Sequence, residues 1–226
     1  MANNPSKRLP NEARRAEILE SAISLFSSKG ISVTTRDIAK ASGITQPLIF
    51  RHFKAKEDLV DAIYLEHFEG MFDQSWREKL RDRSRSLYQR LTDFYLSYTD
   101  VVFEENWMRI YFWSAMSGAE INKRYTKFVI EHIVTPIAME VRAEVNPEAA
   151  GESELSDLEF ETVYTAHSGI LYYGLRKFIF RDDPAIDRSQ IIYECVASML
   201  QGAPKVVATY LERDGIPAPA NAAGAG

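Results

Sequence analysis

The chain is nearly without cysteine. Cys195 is the single one in 226 residues, which excludes an internal disulfide and any cysteine-based zinc site. It sits in the run 191–197, Ile-Ile-Tyr-Glu-Cys-Val-Ala, which reads as a buried helix, so packing rather than redox sensing is its expected role. Histidine is sparse as well. His52, His67, His132 and His167 are dispersed, and no metal-spaced cluster, Gly-rich phosphate loop or serine in a nucleophile elbow accompanies them. Glu161 and His167 share a helical pattern but lie six apart, a poor acid–base pairing. An enzyme is not expected, and neither a metal nor a cofactor is. No signal-peptide pattern and no apolar run long enough to span a bilayer occur, so the expectation is a cytoplasmic protein without a membrane partner. Convincing strand runs and internal repeats are also missing.

Positive charge is scarce overall, at net −5, but unevenly placed. Residues 1–56 hold ten Lys or Arg against four Asp or Glu, a net of +6, which leaves −11 on the remainder. A basic amino-terminal unit on an acidic body suits phosphate contact at one end only. A disordered basic tail would give the same bias. Here the cations lie largely inside a patterned helical unit, which favours DNA.

Within that unit, residues 34–53 read as two short helices joined by a tight turn. Thr34 is placed to cap the first, with Asp37 three residues on completing a capping box. Ile38 and Ala39 face inward, and Ala39 is small enough for a second helix to cross closely. Gly43 falls where the chain must turn sharply, a position that favours positive φ. Thr45 caps the next helix, and Pro47 occupies its first turn, where a missing N–H does little harm. Ile49 and Phe53 make a buried stripe, leaving Gln46, Pro47, Phe50 and Arg51 outward. The preceding segment 13–26 repeats apolar residues at helical spacing and stops at Lys29-Gly30. After the motif, Lys54-Ala-Lys-Glu-Asp-Leu-Val opens a longer helix.

Residues 11–63 resemble the DNA-binding domain of the TetR (tetracycline-repressor) family of bacterial transcription regulators. The stretches that carry the likeness are Thr34-Thr-Arg-Asp-Ile-Ala, Gly43-Ile-Thr-Gln-Pro and Phe50-Arg-His-Phe-Lys-Ala-Lys-Glu-Asp-Leu. The resemblance implies an all-α fold in which a three-helix helix-turn-helix domain precedes a larger helical domain for ligand binding and dimerisation. The expected division is 1–56 for DNA binding, with 1–10 a flexible basic arm carrying Lys7 and Arg8, then 57–214, then a disordered tail 215–226. It also implies that Gln46, Pro47 and Leu48 meet base edges, Gln46 on adenine and the other two on thymine methyls. Phe50, His52 and Lys56 match positions that hold the sugar-phosphate backbone, Thr35 and Arg36 begin the positioning helix, and Thr45 opens the recognition helix. Three departures stand out. Phe50 lacks the hydroxyl of the tyrosine common there, Arg51 replaces a frequent aromatic and suits phosphate or guanine, and Leu48 is bulkier than usual. No relative's target sequence therefore transfers.

Beyond this unit, helical periodicity suggests helices near 57–79, 83–104, 106–117, 121–145, 156–181 and 187–213, with an exposed loop at 146–153. Pro136 and Pro204 fall inside helical patterns and should kink or break them. Aromatics are dense, and Phe103, Trp107, Tyr111, Phe112, Phe128, His132, Tyr164 and His167 are candidates for lining an effector pocket. The same stripes suit an ordinary core. The pocket reading implies a largely apolar, small-molecule ligand with one hydrogen-bonding end.

The last two long helices are the expected homodimer surface, through Gly169, Tyr172, Tyr173, Ile192, Val196 and Met199, as the family pairs. Two copies about 34–36 Å apart then read a palindromic operator in double-stranded DNA. The resulting expectation is a ligand-released repressor, in which effector binding moves the helix 57–79 and spoils operator spacing. An activator, or a nonspecific DNA-binding protein on the same scaffold, stays open.

Overall fold

The structure is a computed structural model and describes residues 10–67, 70, 72, 75–118, 120–147 and 154–213. Most of the expected basic arm, residues 148–153 of the expected loop and the tail 215–226 lie outside the described residues. Among those described there is no strand. The helices are α1 (Asn11–Lys29), α2 (Thr35–Ala41), α3 (Gln46–His52), α4 (Lys56–His67), α5 (Ser75–Arg81), α6 (Leu87–Val102), α7 (Glu105–Ser117), α8 (Glu120–Val129), α9 (Thr135–Val145), α10 (Asp157–Gly174) and α11 (Arg188–Arg213). Contacts divide the chain into two units: residues up to 71 with 104–122, and 72–103 with 123 onward.

The first unit packs α1 to α4 with α7. Ile18, Leu19, Ala22 and Phe26 recur at three- and four-residue spacing on α1 and are buried with Ile38, Ile49, Leu59 and Ile63. Gly30 ends α1 at φ +82, and a Cβ there would lie 3.0 Å from the Trp113 indole, so glycine answers both the turn and the close approach. Arg109 Nε donates to the Ser27 carbonyl at 2.7 Å, tying α7 to the end of α1. The sequence reading set its boundary at 56/57, before the helix that follows. Here α4 packs on α1, with Arg15 on Glu66 at 2.5 Å.

The second unit is organised around α11, which packs against α6, α9 and α10. Ile192, Val196, Met199, Ala203, Val207 and Leu211 form its buried stripe. Two ion pairs are enclosed with this core: Arg90 with Glu140 at 2.6 Å, and Arg142 with Glu159 at 2.5 Å. Glu159 also closes a capping box with Ser156 at the start of α10. In both carboxyls burial works to raise the pKa, but the arginine hydrogen bonds outweigh it and leave each below its ordinary value.

Several expected elements differ. The helix expected over 57–79 is two, α4 and α5, with Gly70 and Phe72 between them outside α-helix. A Cβ on Gly70 would come within 2.8 Å of the Leu65 carbonyl oxygen, an approach only glycine tolerates. The helix expected from 83 begins at Leu87, where Ser86 and Gln89 form a capping box. Neither proline ends its helix. Pro204 lies inside α11, and Pro136 lies in the first turn of α9, just after a π turn at Ile130–Val134 in which the Thr135 amide bonds the Ile130 carbonyl. A second π turn, Leu175–Ile179, ends the helical run expected to reach 181. Beyond it Arg181 takes φ +58 and Asp182 accepts from Arg176 at 2.6 Å.

Candidate nucleic-acid interface

The helix-turn-helix is fixed at each end by the bonds its sequence implies. The Asp37 amide donates to the Thr34 hydroxyl at 3.2 Å, while the Asp37 carboxylate accepts the Thr34 amide at 3.0 Å and its hydroxyl at 2.6 Å. That hydroxyl bond, then the amide bond, holds the Asp37 carboxyl below its ordinary pKa. At the other end of α2, Gly43 adopts φ +64. The Ile44 amide reaches the Ala39 carbonyl at 2.9 Å and the Gly43 amide the Lys40 carbonyl at 3.3 Å, a paired closure that satisfies two terminal carbonyls.

The chain then enters α3 through Thr45, which has the extended backbone of an N-cap. Its side chain makes no capping hydrogen bond, so the expected cap is one of backbone position only. Pro47 lies in the first turn as expected. A seven-residue helix cannot persist alone, and tertiary packing must hold it. Ile49 is fully buried and Phe53, just past the helix, is buried too, with the Arg15 guanidinium 5.0 Å from the Phe53 ring centroid.

The opposite face is open. Pro47, Phe50 and Arg51 are exposed, with Phe50 at 44%, while Gln46, Leu48 and His52 are half-buried. Arg36, Arg51 and Lys54 are exposed and make no hydrogen bond or ion pair with the described residues. Lys56 behaves differently. Its ammonium bonds the Ile31 carbonyl and stands 5.8 Å from the Phe26 ring centroid, so the lysine is partly occupied within the unit. Thr35 is buried, and its hydroxyl accepts from Gln46 Nε2 at 2.8 Å. Sequence reasoning missed both bonds, which join residues 25 and 11 positions apart and leave no local pattern. The Ser156–Glu159 box was readable, since Ser-x-x-Glu precedes an apolar run.

The aromatic residues expected to line one pocket are divided between the two units. Trp107 is buried with Tyr64 at 6.3 Å between ring centroids, and Tyr111 meets Phe112 at 5.1 Å, both pairs within the first unit. In the second unit Phe128 contacts Phe72 and His132, Phe103 stacks on Tyr173, and Tyr164 meets Phe160. His167 lies between Tyr95 and Tyr98, its Nδ1 3.4 Å from the Tyr95 hydroxyl. Burial alone pushes its pKa down to about 4, so it is neutral near pH 7. Cys195 is half-buried, and burial followed by the Glu194 charge raises its thiol pKa, which disfavours a reactive thiolate.

The residues expected at the dimer surface need correction. Tyr173 on α10 is buried, and Ile192, Val196 and Met199 are buried because α11 turns that stripe onto α6, α9 and α10. Gly169 and Tyr172 are exposed, on a face of α10 that also carries Leu158, Glu161, Thr165 and Ser168.

Residues 18–63 match the family model for bacterial regulatory proteins of the tetR family. Over that stretch the chain carries a TetR-family DNA-binding region. The transcriptional repressor KstR2 of Mycolicibacterium smegmatis is 30% identical over 86 residues, 38% of this chain and 41% of that protein. The transcriptional activator FasR of the same organism is 29% identical over 98 residues, 41% of this chain and 45% of that protein. The matches thus span less than half the length of these curated relatives. A tetR-family transcriptional regulator from Streptomyces coelicolor superposes with a TM-score of 0.62 at 20% identity, over 92% of this chain and 87% of that one, which extends the TetR fold through the second unit.

Proposed function

We propose that this chain is a TetR-family, homodimeric, sequence-specific DNA-binding repressor that a small, largely apolar ligand releases from its operator. The observation that carries the reading is α3, anchored by Ile49 while Pro47, Phe50 and Arg51 face outward beside the unpaired Arg36 and Lys54. Gln46, Leu48 and Arg51 would meet base edges, and Arg36, Phe50, His52 and Lys54 the backbone. Dimerisation would use the exposed face of α10, from Leu158 through Gly169 to Tyr172, with the exposed face of α11 at Ser198 and Gly202. Small residues there permit close helix approach, and half-exposed Leu158 and Tyr172 supply apolar area. For the ligand, the aromatic surroundings of His167 and of His132 in the second unit offer flat apolar walls with few polar tips.

The test is selection of duplexes from a random pool, followed by binding at several salt concentrations. Enrichment of an inverted repeat, with Gln46→Ala losing preference at one base pair per half-site, supports the reading. Equal affinity for every duplex would sink it in favour of nonspecific binding. An activator is the second reading, since the relatives include FasR beside KstR2. A reporter whose output falls on deletion of this gene would decide for it.

A further inference from the structure

The structure places one buried hydroxyl against the residue that the operator reading puts at the bases. Gln46 Nε2 donates to Thr35 Oγ1 at 2.8 Å, from the first residue of α3 to the first residue of α2. Thr35 is only 9% exposed, and its hydroxyl oxygen is engaged by the Gln46 carboxamide. We propose that Thr35 is a positioning residue for base readout, holding the Gln46 carboxamide in the orientation that meets the major groove. This rests on the reading of α3 as the recognition helix.

A glutamine side chain has three torsions to lose before it can bind a base, and an internal bond that removes part of that freedom in the free protein favours binding. The bond uses one of two Nε2 hydrogens and none of the Oε1 lone pairs. One donor and one acceptor remain on the same planar group, the pair that matches adenine N7 and N6. Thr35 itself is anchored by the first turn of α2, whose cap at Thr34 and Asp37 fixes where its hydroxyl points. The register of Gln46 is thus set from α2 rather than from its own short helix.

The experiment uses the full chain and the duplex it selects from a random pool, with every single-base substitution of one half-site. Thr35→Val keeps the shape and removes the acceptor; Thr35→Ser keeps the acceptor. Gln46→Ala is expected to lose about 5- to 150-fold discrimination at one base pair. Thr35→Val is expected to lose about two- to tenfold at that same pair and nowhere else. Thr35→Ser should match the wild type, and Thr35→Val should add nothing in the Gln46→Ala background. Uniform weakening on all duplexes, a Thr35→Ser defect equal to that of Thr35→Val, or additive losses in the double variant each overturn the proposal. If Thr35→Val does not fold, Thr35→Ala enters the same cycle with the same criteria. A wild type that selects no sequence overturns the operator reading itself. A Gln46→Ala variant with unaltered base preference overturns the role of Gln46 alone.

Discussion

Lys56 shows how one side chain divides between stability and binding. With its ammonium on the Ile31 carbonyl, Lys56→Ala removes a charge-assisted bond of roughly 1.5–3 kcal/mol. The expected outcome is a lower urea midpoint together with weaker binding to all duplexes. A salt slope about 0.9 shallower would mean that the lysine also reaches a phosphate, and an unchanged slope would leave it a purely structural role. His167 makes a second prediction. Its folded pKa of about 4 lies below the 6.5 of the free side chain, so the unfolded chain binds the extra proton first. Its penalty is absent above pH 6.5 and grows as pH falls toward 4, reaching about 3 kcal/mol by linkage. Glu140 and Glu159, whose folded pKa values are depressed, contribute stability above their unfolded values and lose it at lower pH. Thermal melts of His167→Gln should therefore be flatter than wild type between pH 6.5 and 4.5. Parallel curves would remove His167 as the cause.

At the level of elements, local signals were legible and long-range ones were not. The Thr34–Asp37 box, the Gly43 turn and the Ile49–Phe53 face follow from spacing within a few residues, and each is present. Gly43→Ala should cost about 1–2 kcal/mol, because φ +64 puts a Cβ against the next carbonyl although no neighbour blocks it. Denaturant unfolding measures this, and a neutral result would mean that the turn relaxes. The break between α4 and α5 went unread because apolar periodicity continues past it, and only Gly70 marked it. The dimer residues on α11 were misassigned for a related reason. A helix with an apolar stripe looks the same whether the stripe meets its own chain or another. Burial of Ile192 and Val196 against α6, α9 and α10 decides it.

For the whole molecule, the separate α4 and α5 remove the continuous lever expected over 57–79. If a ligand releases the protein from DNA, as proposed, that release is a shift between states that differ in affinity for DNA. Such coupling is reciprocal. If an effector weakens operator binding by some factor, saturating operator must weaken effector binding by the same factor, as titrations in both orders can measure. A factor of one in both orders would exclude coupling, and with it release by that ligand.

The π turn at Ile130–Val134 governs how the run 120–145 tolerates insertion and deletion. Buried side chains occur at 121, 125, 129, 133, 137 and 141, a strict step of four. An α-helix advances about 100° per residue, so steps of four overshoot by ~40° each and the seam would wander around the axis. The wider turn gives part of that rotation back. Removing one residue between 130 and 134 would convert the run to regular helix and leave Ile137 and Val141 facing the interior, because the wide turn absorbs about one residue's rotation. One codon lost from the regular helix before that turn would instead rotate everything beyond it by about 100°.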